Sequence, residues 1–171
     1  MSRDIMSKYR TKIIEDFINI EGYVCAIICK QYLGKVTQDF MREVLFDELF
    51  SSGLKANLFE KVLKRNKDIQ KPREYADQFR QLSRYRNFFA HCNTTFSDDG
   101  TDGTLGRVPD PRNQDKYLNI EDIIKNFTEI YTKLSKDLIE IMDKMGIWFM
   151  HDDETGITTL ICETKELPKA P

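Results

Sequence analysis

Between Ile120 and Met142 an apolar residue returns every three or four positions, through Ile123, Ile124, Phe127, Ile130, Tyr131, Leu134, Leu138 and Ile141. That spacing repeats at 3.6 residues and not at 2, so it builds a helix with one buried face and excludes a strand. The start is marked too. Asn119 stands as N-cap, Asp122 three positions on, and Leu118 and Ile123 are placed to staple the first turn.

The same period governs most of the chain before it. A helix is expected from about Lys8 to Tyr32, with Ile13, Ile14, Phe17, Ile18, Tyr23, Val24, Ile27 and Ile28 as its stripe, broken at Gly34. A second is expected from about Thr37 to Phe50, with Phe40, Val44, Leu45 and Leu49 inward, and a third from about Leu54 to Lys67, offering Leu54, Leu58, Val62 and Leu63. A fourth opens at Pro72, which suits a first helical position because its missing N–H would be unpaired there anyway. After Gly146 the period changes: "IWFM" and "ITTLIC", separated by "HDDETG", read as a β-hairpin over 147–163 that must pack on the helices to be stable. The fold class is therefore all-α, a bundle of about five helices over roughly residues 8–145, with a C-terminal β-hairpin appended. With 171 residues, no repeat and no linker, one domain over 1–171 is expected. Between the last two helices lies Asn93 to Tyr117, with three glycines, two prolines and no sustained period. It reads as a long loop, either functional or disordered. Its Asp98, Asp99 and Asp102 lack calcium-loop spacing and read as solvated acids.

Hydrophobic content of 40% with 32% charged residues is that of a globular chain, and no apolar run approaches the roughly 20 residues of a membrane span. The N-terminal "MSRDIMSKYR" leads into an amphipathic pattern and not a leader, so a cytoplasmic protein without membrane contact is expected. Cys25 and Cys29 are one helical turn apart, and Cys92 and Cys162 lie in unrelated contexts, which fits reduced thiols. No Cys-x-x-Cys occurs and His91 and His151 are far apart, so neither a metal site nor a cofactor is called for. The net charge of −2 hides an asymmetry: residues 61–92 hold nine basic residues against three acidic, a local balance of +6, leaving −8 on the remainder. A solvated helical face and a localised phosphate-binding surface account for this equally well.

That basic segment contains "RYRNFFAHC", Arg84 to Cys92. Projected as a helix, Tyr75, Phe79, Leu82 and Phe89 share one row, and Arg86 occupies a place in it between Leu82 and Phe89. A second row, Arg73, Asp77, Arg80, Arg84, Asn87 and His91, forms a polar ridge. Arg86 and His91 lie about 140° apart around the axis and about 7.5 Å along it. Taken singly, such an arginine can snorkel or pair with an acid such as Glu15 or Glu21, and such a histidine can sit at a helix C-terminus where a cation is favoured.

Taken together, Arg86-Asn87-Phe88-Phe89-Ala90-His91 resembles the signature of the HEPN superfamily, an arginine followed after four to six residues by a histidine, often with a polar residue directly after the arginine. Arg84 to His91 fits the longer spacing. The family fold is a bundle of four or five helices with this motif late in the bundle. The resemblance implies metal-independent cleavage of single-stranded RNA at a composite site between two protomers. The chemistry suits the residues. RNA supplies its own 2′-hydroxyl nucleophile; His91 can take its proton, Arg86 can hold the phosphate and the developing phosphorane charge, and Asn87 can hold the phosphate or orient His91. Arg84 and Arg80 are candidate RNA-binding residues. One His91 cannot be both base and acid, which a two-fold homodimer would remedy. The resemblance also suggests a role as a toxin, in antiphage defence or in RNA processing, with an antitoxin as possible partner. Its alternative is a non-catalytic HEPN binding or scaffold module, for example a partner of a nucleotidyltransferase, with Arg86 serving packing.

Overall fold

The computed structural model describes residues 2–91, 107–110, 113–151 and 158–162. Its helices are α1 (Ser2–Leu33), a short α2 (Gln38–Phe40) continued by a π turn (Met41–Leu45), α3 (Ser52–Arg65), α4 (Pro72–His91) and α5 (Ile120–Lys144). Two strand pairs accompany them: β1 (Arg107–Asp110) with β2 (Asn113–Asn119), and β3 (Ile147–His151) with β4 (Thr158–Cys162), both antiparallel. The architecture is helical with a C-terminal β-hairpin. No helix among the described residues is long and apolar enough to cross a membrane.

The chain forms two compact units, each made of two separate stretches, so that α1, α4 and α5 each contribute a part to both. The first comprises 1–19 and 81–133, and buries Ile13, Phe17, Leu82, Phe89, Ile120, Ile123 and Phe127. The second comprises 20–80 and 134–171. It is organised on the later part of α1, where every residue from Val24 to Lys30 is buried. A helix buried all round needs neighbours on all sides. Within this unit Tyr23 meets Phe149 of β3 with ring centroids 5.4 Å apart, which is how the hairpin acquires the support it requires.

Glycine closes two of the long helices. Gly34, at φ 71°, donates its N–H to the Lys30 carbonyl (2.9 Å), and Gly146, at φ 68°, follows the last turn of α5. Both take the left-handed conformation that satisfies terminal carbonyls at little steric cost. Asn119 caps α5 as expected, its side chain accepting the Glu121 N–H at 3.0 Å.

The second helix departs from its expected course. It ends at Leu45 and not near Phe50, because the chain widens into the π turn, with Phe46 N–H bonded to the Met41 carbonyl at 2.7 Å. Asp47 then takes the Leu49 N–H on its own carboxylate (2.8 Å), a local bond that competes with helix continuation. Of the four residues expected inward, Leu45 is buried and Phe40 half-buried, while Val44 is exposed and Leu49 is 85% exposed. In α3 the buried row is Lys55, Ala56, Phe59, Val62 and Leu63; Leu54 faces out beside the Ser51 cap, whose hydroxyl accepts its N–H. Ile18 of α1, counted in the apolar stripe, is also exposed.

The segment 93–117 is not loop throughout. β1 and β2 pair within it, with Val108 opposite Leu118 and Pro109 opposite Tyr117, and the register slips between Pro109 and Asp110. A proline and a slipped register erase the alternation by which a hairpin is recognised from sequence. Residues 93–106, including Asp98, Asp99 and Asp102, lie outside the described residues, as does Cys92.

Candidate functional site

Helix α4 is regular from Pro72 through His91, so the projected separation of Arg86 and His91 holds to the end of the motif. Phe79, Leu82 and Phe89 are fully buried, and Tyr75 and Arg86 complete the row half-buried. The Arg86 guanidinium lies over the Phe17 ring, 4.9 Å from its centroid. That is why an apolar row accepts it: the ring face stabilises a cation, and the aliphatic stem packs with the core. Among the described residues no carboxylate pairs with Arg86. Glu21, one of the two acids that could have answered it, is engaged by Lys55 at 2.7 Å, and Glu15 is exposed. A ring offers no lone pairs, so the Phe17 contact itself takes up none of the guanidinium's five N–H donors.

The polar ridge changes character along its length. Asp77 lies between Arg73 (3.7 Å) and Arg80 (2.6 Å), and Arg80 also donates to Glu60 (3.2 Å) and Asn57 (2.8 Å). Lys64 reaches Glu60 as well (2.7 Å). Hydrogen bonds, first from Lys64 and then from Arg80, hold the Glu60 carboxyl below its ordinary value. Arg80 is thus held by two carboxylates, Glu60 and Asp77, which it shares with Lys64 and Arg73. The later ridge is different. Arg84, Asn87 and His91 are all exposed, and among the described residues no carboxylate pairs with Arg84 or His91. Nearby in the same unit Tyr85 packs edge-on against Phe127, its hydroxyl accepting from Gln81 (3.0 Å), and Phe88 packs edge-on against Phe89.

No family model matches the chain, and neither a curated protein nor a solved structure does. What the site can do therefore rests on its own residues. Arg84, Arg86, Asn87 and His91 together supply a permanent planar cation, a second cation, an amide and an imidazole within the last two turns of one helix. Among the described residues no cluster of three His, Cys, Asp or Glu is arranged to hold a metal ion.

Two polar pairs built on buried lysines of the second unit were not foreseen from the sequence. One is Lys55 with Glu21; the other is Lys30 of α1, whose Nζ donates to Cys162 Sγ of β4 at 3.1 Å. A lysine amid an otherwise apolar buried run is the available signal for such pairs, since a charge there needs a partner. The period of α1 alone does not name that partner.

Proposed function

We propose that this chain is a HEPN-type endoribonuclease that cleaves single-stranded RNA by attack of the 2′-hydroxyl on the adjacent phosphate. The observation that carries the reading is Arg86, which sits in a core row over Phe17 with its donors uncommitted to any carboxylate among the described residues. It lies beside an exposed Asn87 and before an exposed His91. In this scheme His91 takes the 2′-hydroxyl proton as general base, a contribution typically of about 10²–10⁴ in rate. Arg86 binds the phosphate oxygens and stabilises the charge developing on them. Asn87 positions the phosphate or the imidazole, and Arg84 supplies a further phosphate contact. The leaving 5′-oxygen needs a proton from the opposite side of phosphorus. A second protomer's copy of the same surface, brought over by a two-fold axis through the end of α4, supplies it.

The test is incubation of the full chain with a mixed single-stranded RNA in excess EDTA, alongside His91→Ala and Arg86→Lys. Expected are cleavage that persists in EDTA, 2′,3′-cyclic phosphate ends, loss of activity in both variants, and specific activity that falls on dilution below dimerisation. Intact RNA after incubation with folded parent protein overturns the enzyme reading. It would leave Arg86 as a packing residue for Phe17 and the chain as a non-catalytic binding module.

A further inference from the structure

The three described thiols sit in different surroundings. Cys25 and Cys29 are fully buried on α1. Burial pushes the Cys25 thiol up to about 12, far from the thiolate that oxidants attack. Cys29 Sγ is held within a turn, donating to the Lys35 carbonyl (3.4 Å) and accepting the Thr37 N–H (3.3 Å). Cys162 is half-buried, the most exposed of the three, and its sulfur is 3.1 Å from the Lys30 amine. Lys30 is only 7% exposed, and its long side chain is therefore confined near that sulfur.

From this geometry we propose that Lys30 and Cys162 form a modification site at which peroxide oxidation ends in a covalent S–N crosslink. In the first step Sγ attacks one oxygen of hydrogen peroxide. The O–O bond breaks, the thiol proton leaves with the departing hydroxide as water, and Cys162 becomes a sulfenic acid. Sulfur is oxidised by two electrons and the peroxide reduced by two. In the second step the Lys30 amine, its lone pair freed once the ammonium form has given a proton to solvent, attacks that sulfur, the S–O bond breaks, and hydroxide leaves with one amine proton as a second water. The sum is one thiol, one amine and one peroxide giving one sulfenamide and two waters. Sulfenic acids condense in this way with nearby nitrogen. Atoms held about 3–3.5 Å apart react as though at very high concentration, so the neighbouring amine competes well with thiols in solution. The bond would fasten β4 to α1 across a sequence separation of 132 residues, and thiol attack on sulfur would release it.

The experiment treats the folded full chain with stoichiometric hydrogen peroxide, blocks remaining thiols, and analyses intact mass and proteolytic peptides. Expected is a species two hydrogens lighter than the reduced chain, whose linked peptides contain Lys30 and Cys162. It disappears in Lys30→Arg and in Cys162→Ser and is reversed by dithiothreitol. The same treatment in denaturing urea should give little of it. Two results would overturn the proposal: Cys162 recovered as thiol, sulfinic acid or disulfide with Lys30 unlinked, or an equal yield of crosslink from folded and unfolded chains.

Discussion

Lys55→Met should unfold the second unit far more easily than its modest change in size suggests. Lys55 Nζ lies 2.7 Å from Glu21 Oε1, and the two side chains are only 6% and 11% exposed. At an effective dielectric near 20, unit charges at that distance attract by about 6 kcal/mol, which roughly offsets the cost of taking both out of water. The pair as a whole is then worth little against an apolar pair of similar volume. Removing one member is different, because it leaves the other charge buried and uncompensated, at a cost of about 3–5 kcal/mol. Lys55→Met also loses the cation over the Phe46 ring, 5.3 Å from its centroid. Trp148 is the only tryptophan in the chain and lies in the same unit, so its fluorescence reports the event in a urea titration. With a urea slope of about 2 kcal/mol/M, the midpoint should fall by about 1.5–2.5 M. The double variant Glu21→Leu/Lys55→Met should recover most of that loss. A midpoint within about 0.3 M of the parent for Lys55→Met, or a double variant as weak as the two singles added, would refute the argument.

Leu49→Ser should change stability by less than about 0.5 kcal/mol, measurable in the same titration, because the π turn has already put that side chain in water. Phe59→Ala in the neighbouring α3 should cost about 3–5 kcal/mol. The raised Cys25 thiol contributes stability that is present in full below its ordinary value of 9.0. Above that the unfolded chain ionises while the folded one keeps its proton, so stability is lost as pH rises towards about 12. Cys25→Ala should flatten that alkaline fall in thermal melts taken between pH 8.5 and 10.5. Arg86→Ala should lower stability by about 1 kcal/mol through loss of the Phe17 contact, whereas His91→Ala, on an exposed position, should leave the melting temperature unchanged. Equal effects of the two would contradict the placement of Arg86 in the core row.

The sequence by itself determined where the long helices run. The stripe from Ile120 to Met142, the Asn119 cap, Pro72 at the start of α4 and Gly34 and Gly146 at helix ends are local instructions, each read within a turn or two of chain. The change of period after Gly146 likewise sufficed for β3 and β4. The inward face of α2 was legible only in part, because the chain leaves the α-helical path in a π turn that no local pattern announces; in α3 Val62 and Leu63 are buried as expected, whereas Leu54 is exposed. The pairing of β1 with β2 was not legible, because Pro109 breaks the period. At the candidate site, the spacing put Arg86 in a core row and His91 on the ridge. Which charges remained available was a tertiary matter: Arg80 is taken by Glu60 and Asp77, Glu21 by Lys55, and Arg86 rests on Phe17. Lys30 meets Cys162 for the same reason. Periodicity is set by bonds between near neighbours, whereas the partner of a buried charge comes from whichever distant segment the packing brings within about 3 Å.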